Sequence, residues 1–176
     1  MEFSLPIVYL LVLLALLCGS ALFVIRQVIK TRTTEIKLSN LQNKLTKESG
    51  TAQEYYDLGS IYLDKKLYVK AGELFQKALK AESENQSEEE LAKIYNALGF
   101  AYFAKEQYDI AIRQYKEAVK LDSDYAIAYN NLGHAYEKKK LTAKALEAYE
   151  QVLKLEPKND TAKRRSESMR RRLTTA

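Results

Sequence analysis

Few of the side chains that usually carry out catalysis or bind transition metals occur in this sequence. Its 176 residues include one His, His134, and one Cys, Cys18. A disulfide within the chain needs two cysteines, and zinc sites are built from several Cys or His side chains. His134 has no recognisable nucleophile motif, Cys18 lies in a long apolar run, and no glycine-rich phosphate loop is present. These residue types indicate a protein that is not an enzyme and that has no cofactor and no metal site.

Charge is distributed unevenly along the chain. The formal net charge is +5, made up of −1 over residues 1–25, +4 over 26–50, −3 over 51–157 and +5 over 158–176. The acidic run Glu88–Glu90 follows Ser87 in a pattern typical of a helix start. The basic runs 163–165 and 170–172 fit a solvated helix that caps the end of the chain. Because the middle of the chain is acidic, contact with acidic lipid headgroups or an acidic protein is favoured over nucleic acid.

An apolar run near the start predicts a membrane anchor over residues 1–25. Leu5–Ile25 contains 21 residues without a charge, about 30 Å of helix, which matches the hydrocarbon core of a bilayer. A cleaved signal peptide is disfavoured because the residues before the run include the acidic Glu2 and no basic residue. Lys and Arg residues follow the run but do not precede it. We therefore expect one transmembrane helix, with the rest of the chain facing a cytoplasm or a plastid stroma.

Residues 26–50 form a basic segment in which Leu38, Leu41 and Leu45 share one stripe of a helix. Three interpretations remain open: a stalk packed on the following domain, a self-association seam, and a helix on the membrane surface. The stalk is the default, because too few heptads are present for a coiled coil. We expect Gly50 to end this segment and a capping box at Thr51–Glu54 to start the next helix.

Three copies of one pattern follow over residues 51–159. The segments YDLGSIY, YNALGFAY and YNNLGHAY align at Gly59, Gly99 and Gly133, which are 40 and 34 residues apart. A period of 34 residues resembles the tetratricopeptide repeat, a helix–turn–helix unit. The copies cover 52–85, 92–125 and 126–159, and six additional residues fall in the polar loop AESENQSEEE. We expect helices at 52–65, 68–81, 88–105, 108–121, 126–139 and 142–155, with a basic capping helix and tail over 160–176.

Most residues of the repeat pattern serve packing. In each copy Gly at the eighth position and Ala at the twentieth bring helix A and helix B close together. We expect the aromatic ring at the eleventh position to fill the gap between them. Ten of the 13 tyrosines occupy aromatic positions of the pattern, so we expect the tyrosines to lie mostly in the interior. The predicted fold is all-α, a transmembrane helix followed by an α-solenoid of three repeats with a capping helix that Asp160 begins.

The resemblance implies that the A helices line a concave groove with their second, fifth, ninth and twelfth positions. These are Gln53, Tyr56, Ser60 and Leu63 in the first copy, Lys93, Asn96, Phe100 and Phe103 in the second, and Ile127, Asn130, His134 and Glu137 in the third. An exposed apolar patch of Phe100, Phe103, Tyr56 and Leu63 would bind a partner, although both Phe rings can instead pack on a neighbouring repeat. Asn96 and Asn130 are candidates to bind a peptide backbone, and His134 is an ordinary groove residue.

The groove lacks the cations with which chaperone-binding repeats hold a peptide carboxylate. Tyr56, Ile127 and Asn131 stand at the corresponding positions. We therefore do not expect this chain to bind the tails of the large heat-shock chaperones.

The whole chain also resembles a cyanobacterial and plastid family known as hypothetical chloroplast frame thirty-seven. The segments that carry this resemblance are SLPIVYLLVLL, SNLQNKLTKE, GTAQEYYDLGSIYLDKKLY, NNLGHAYEKKKLTAKALEAYE and TAKRRSES. It implies a single-pass thylakoid protein that assists the assembly or stability of photosystem I, with a photosystem I subunit or another assembly factor as its partner. The alternative is a general scaffold or holdase of a bacterial inner-membrane complex.

Overall fold

A computed structural model describes residues 5–81 and 86–175. Residues 1–4 of the predicted anchor, 82–85 of the predicted loop and Ala176 of the predicted tail lie outside them. The helices of the described residues are α1 (Leu5–Leu45), α2 (Ala52–Asp64), α3 (Tyr68–Lys80), α4 (Glu88–Ala104), α5 (Tyr108–Leu121), α6 (Ala126–Lys138), α7 (Thr142–Leu155) and α8 (Asp160–Thr174). The six repeat helices match the expected bounds to within one residue, and the predicted all-α fold is confirmed.

The chain divides into two units, Met1–Lys47 and Glu48–Ala176. The first unit contains α1, a helix of 41 residues that is long and apolar enough to cross a membrane. The apolar run and most of the basic segment form this one helix, which continues past Ile25 without a break. The helix ends at Leu45 and a turn follows, so the expectation that the segment ends at Gly50 was wrong by five residues.

The second unit is built from three helix pairs and a last single helix. Within the copies α2 packs on α3, α4 on α5 and α6 on α7, and each B helix also contacts the next A helix. The last helix, α8, packs on α7. Predicted capping boxes start α2 at Thr51 and α4 at Ser87. The side chain of Asn159, rather than Asp160, caps α8 by accepting a hydrogen bond from the amide of Ala162.

Close approach between helices A and B depends on the glycine at the eighth position. A Cβ atom built on Gly59, Gly99 or Gly133 would lie 2.7, 2.7 or 2.8 Å from the ring of Phe75, Tyr115 or Tyr149, respectively. These rings belong to helix B at the twenty-fourth position of each copy. The prediction that the ring of the eleventh position fills this gap was therefore wrong. Those rings, Tyr62, Tyr102 and Tyr136, are only half-buried.

Tyrosine burial also differs from the sequence-based expectation. Among the ten tyrosines at repeat positions only Tyr115 and Tyr149 are fully buried, and the other eight are half-buried. Burial raises the pKa of both Tyr115 and Tyr149 well above its ordinary value. Half-buried hydroxyl groups connect neighbouring elements, as when the Tyr102 hydroxyl accepts a hydrogen bond from Gln76 Nε2 at 2.8 Å. The tyrosines thus line the borders between helices more than the interior.

Each A helix ends in the same tight turn with a residue in the left-handed region. These residues are Lys66, Glu106 and Lys140, with φ of 59°, 59° and 58°. In the second copy the amide of Glu106 donates to the Phe103 carbonyl and the amide of Gln107 donates to the Tyr102 carbonyl. This pair of bonds closes the helix, and glycine is the residue that usually occupies its left-handed position. All three copies bear the strain of a side chain there.

Replacing Glu106 with Gly is expected to raise the free energy of unfolding by about 0.5–1 kcal/mol, because glycine adopts a positive φ without steric cost. The matched control is Lys116→Gly, which places a glycine at an exposed position inside α5 and should lower the same quantity by about 1 kcal/mol. Both changes in the free energy of unfolding are measured by denaturant unfolding of the full chain in detergent, monitored by circular dichroism. A decrease for Glu106→Gly would show that the turn is not strained.

Candidate functional site

The candidate site is the face formed by the second, fifth, ninth and twelfth positions of the A helices, which we call the groove face. Helix α4 contacts both α2 and α6, so the three A helices lie side by side. Phe100 and Ile127 are the large apolar side chains most open to solvent on this face, 44% and 59% exposed. The remaining predicted site residues are half-buried, namely Tyr56, Leu63, Asn96, Phe103, Asn130 and His134.

The predicted aromatic patch is divided between surface and interior. The Tyr56 ring lies 5.7 Å from the Phe75 ring, and Leu63 packs against the same core cluster. Phe103 packs on two rings, with centroids 5.3 Å from Tyr108 and 4.8 Å from His134. Phe100 remains exposed. The groove face therefore offers Phe100 as its open aromatic ring, whereas Phe103 also supports the fold.

A hydrogen-bonded polar seam crosses the groove face between the second and third copies. Asn131 Nδ2 donates to Asn96 Oδ1 at 2.9 Å, and Asn96 Nδ2 donates to the Tyr125 hydroxyl at 3.2 Å. Burial and the nearby Tyr56 raise the pKa of Tyr125, against the lowering effect of the Asn96 hydrogen bond. Asn96 is thus held in a fixed orientation. These two bonds use its Oδ1 and one of the two hydrogens that a primary amide carries.

His134 lies between this seam and the end of the array. Burial lowers the pKa of its imidazole below the ordinary value, and the charge of Arg165 adds to this effect while Glu137 opposes it. The lowered pKa favours the neutral imidazole near pH 7, and the ring packs on Phe103 at an angle of 42°. This contact fits a groove residue that provides a flat surface. Among the described residues no group of three or more His, Cys, Asp or Glu side chains could hold a metal ion.

Three side chains from different helices meet at the far end of the groove face. The Tyr149 hydroxyl donates to Glu137 Oε1 at 2.6 Å, and Arg165 Nη1 lies 3.1 Å from Glu137 Oε2. Glu137 occupies the twelfth position of the third copy, and its side chain is only 10% exposed. Arg165 belongs to α8. This contact joins the capping helix directly to the groove face, which sequence reasoning did not anticipate.

A cavity at the opposite end was also missed by sequence reasoning. It measures about 810 Å³ and lies among α2, α4 and the end of α3, with the groove residues Gln53, Tyr56 and Lys93 in its wall. Helix α4 starts at Glu88, four residues before the second copy begins at residue 92, so an additional helical turn borders the cavity through Glu90. The sequence signal was the capping box at Ser87, which lies too early for an ordinary repeat.

Comparison with known proteins agrees with the repeat architecture. Family models described as "Tetratricopeptide repeat" match residues 52–85 and 126–159, and a "TPR repeat" model matches residues 99–140. The ycf37 protein of Cyanophora paradoxa is 38% identical over 143 residues, which cover 81% of this chain and 82% of that protein. The chain belongs to the ycf37 family.

Other ycf37 relatives extend the match. The ycf37 protein of Guillardia theta is 34% identical over 72% of this chain and 71% of its own length. The chloroplastic tetratricopeptide repeat domain-containing protein PYG7 of Arabidopsis thaliana is 38% identical over 98% of this chain, which spans 56% of PYG7. Plastid proteins are thus among the relatives of this ycf37 chain.

Solved structures share the ycf37 repeat fold. MamA superposes with a TM-score of 0.70 and 26% identity, over 80% of each chain. The first tetratricopeptide domain of Spaghetti (RPAP3), solved with an HSP90 peptide bound, gives a TM-score of 0.64 and 25% identity over 72% of this chain and 96% of that one. The fold of this ycf37 chain is therefore one that serves protein interaction.

Proposed function

We propose that this ycf37 chain is a membrane-anchored scaffold that binds an extended segment of a partner protein on its groove face. The observation that carries the proposal is the exposure of Phe100 and Ile127 on that face. Exposed large apolar side chains grouped on one surface are typical of interaction sites. Asn96 and Asn130 supply amide groups that suit the backbone of an extended chain, while Tyr56, Leu63, Phe103 and His134 provide the wall.

The anchor is α1. Its apolar part has the length of a bilayer core, and Arg26, Lys30 and Arg32 follow it directly. Basic residues on one side of a span favour the cytoplasmic or stromal side. We propose that α1 crosses the thylakoid membrane once and that the repeats face the stroma, or the cytoplasm in a cyanobacterium.

The partner we propose is a photosystem I subunit or another assembly factor, so that the chain assists assembly or stability of photosystem I. Membership of the ycf37 family and the similarity to chloroplastic PYG7 support this proposal. The alternative is a general scaffold or holdase for a complex of a bacterial inner membrane. Neither function needs a catalytic step by this chain.

Phe100→Ala tests the groove face. We expect it to weaken capture of the partner about tenfold, since truncating a central aromatic residue of an interface costs more than 1 kcal/mol. Val69→Ala is the matched control, because Val69 is also exposed but lies on the B helix α3. The measurement is quantitative cross-linking capture from solubilised native membranes. Phe103→Ala is less informative, because Phe103 also packs on Tyr108 and His134.

The photosystem I assignment is tested in cells of a photosynthetic host. Deleting the gene should lower the ratio of photosystem I to photosystem II, measured by low-temperature fluorescence and by blotting of the two reaction centres. The native chain and Val69→Ala should restore the ratio, and Phe100→Ala should restore it only in part. An unchanged ratio after deletion would instead favour the general scaffold.

A further inference from the structure

The capping helix α8 packs in the manner of an A helix. It begins at Asp160, directly after the third copy, and its buried residues are Ala162, Ser166 and Met169. Counted from Asp160, these are the third, seventh and tenth positions. The same three positions are buried in α4 (Ile94, Leu98 and Ala101) and in α6 (Ala128, Leu132 and Ala135). Helix α8 therefore stands in the register of the first helix of a fourth copy.

This register determines which residues of α8 extend the groove face. Its second, fifth, ninth and twelfth positions are Thr161, Arg164, Ser168 and Arg171. Arg164 and Arg171 are both exposed and lie seven residues apart, about 10 Å along one side of the helix. The ion pair between Arg165, at the sixth position, and Glu137, at the twelfth position of α6, shows that the two surfaces are continuous.

Unlike Arg165 and Arg170 of the same helix, the two groove-face arginines have no acidic partner among the described residues. Arg165 pairs with Glu137, and Arg170 pairs with Glu150 at 2.7 Å. The guanidinium groups of Arg164 and Arg171 make no ion pair or hydrogen bond within residues 5–81 and 86–175. An exposed guanidinium is a bidentate donor that fits a carboxylate.

We infer that the groove face continues onto α8 and that its cationic end binds an acidic stretch of the partner segment. The inference rests on the proposed function, since it assumes that the groove face binds an extended chain. The apolar part of the segment would lie against Phe100 and Ile127, and its Asp or Glu side chains would pair with Arg164 and Arg171. The charge at one end then sets the direction in which the segment binds.

An extended protein segment suits these arginines better than a lipid surface does. By the register of α8, Arg164 and Arg171 occupy the same repeat positions as the groove residues of α4 and α6, and a row of equivalent positions matches a linear chain. A helix that inserts into a bilayer needs a free apolar face, whereas the apolar side of α8 is buried through Ala162 and Met169. Charge attraction by a bilayer is the remaining competitor, and it is one outcome of the experiment.

The experiment selects ligands from a random library of twelve-residue peptides on the full chain held in neutral-lipid nanodiscs. The variant combines Arg164→Gln with Arg171→Gln, and the control combines Lys116→Gln with Lys120→Gln, two exposed lysines of α5. We expect peptides selected by the native chain to carry Asp or Glu on one side of an apolar core. The strongest of them should bind the arginine variant about tenfold more weakly and the lysine control with unchanged affinity.

Two further measurements separate this inference from the proposed function. Phe100→Ala should weaken binding of the acidic peptides and of their glutamine counterparts equally. The arginine variant should weaken binding of the acidic peptides only. Peptides without acidic enrichment would overturn the role of α8 and leave the groove face intact. Loss of the acidic preference when the nanodiscs contain phosphatidylglycerol would also overturn it, because the arginines would then be bound by lipid.

Discussion

Gly99→Ala is expected to lower the free energy of unfolding by about 1–3 kcal/mol, as overpacking of a well-packed core does. The added Cβ would lie 2.7 Å from Cδ1 and from Cε1 of Tyr115. The Tyr115 ring is 1% exposed and belongs to a buried cluster with Leu132 and Ala135 of the next copy. A flexible side chain could move aside, but this rigid ring cannot do so without displacing that neighbouring helix.

The control for this prediction is another helical glycine in the same array. A Cβ on Gly72, in α3, would meet only ordinary contacts, with Ala101 Cβ and Leu98 Cδ1 at 3.9 Å. Gly72→Ala should therefore raise the free energy of unfolding by about 0.5–1 kcal/mol, because alanine favours the helix. Urea unfolding of the two variants and of the native chain measures both changes in the free energy of unfolding. Effects of the same sign would mean that helix propensity, and not the approach to Tyr115, controls Gly99.

Arg165→Met is expected to destabilise the chain by about 2 kcal/mol, because it leaves the carboxylate of Glu137 nearly buried without its cation. Tyr149 would then remain as a hydrogen-bond donor to Glu137. The estimate lies below that for a fully buried pair, since Arg165 is 43% exposed and water screens part of the interaction. Opening of α8 should become more frequent, and hydrogen exchange of its amides should become faster.

A second ion pair of α8, made with α7, provides the control. Arg170 and Glu150 lie 2.7 Å apart, but their side chains are 60% and 39% exposed. Arg170→Met should therefore cost less than about 1 kcal/mol. In a Glu137→Gln background, Arg165→Met should lose most of its effect, which a double-mutant cycle measures. Equal costs for the two arginines would show that Glu137 is not held by Arg165.

Repeat spacing predicts the helices well because the pattern records packing. The Leu–Gly pair and the small residues recur at fixed positions because the helices of each copy have the same length and pack at the same short distance from each other. Capping boxes at Thr51 and Ser87 place two helix starts to the residue. The pattern predicts less well which side chains contact one another. Gly99 lies against Tyr115 and not against Tyr102 because of the angle at which α4 and α5 cross. The linear sequence does not give that angle.

The groove face illustrates the same limit. Position within the repeat predicts that Phe100 is exposed, which it is, whereas the exposure of Ile127 was not predicted. It does not separate Phe100 from Phe103, because Phe103 is half-buried through its contacts with Tyr108 and with His134 of the next copy. Likewise, Arg165 and Glu137 are 28 residues apart in sequence. Long-range pairs of this kind depend on how copies stack, and a single sequence without a structure carries little information about that.

The unbroken course of α1 has a mechanical consequence. No residue between Gly19 and Leu45 is a glycine or a proline, the residues at which sharp helix kinks most often form. Rotation of its apolar part about the helix axis must turn Leu38, Leu41 and Leu45 through nearly the same angle. If α1 crosses a bilayer as proposed, a neighbouring helix that binds its apolar part would thereby also set the direction in which the leucine stripe faces, about 30 Å away.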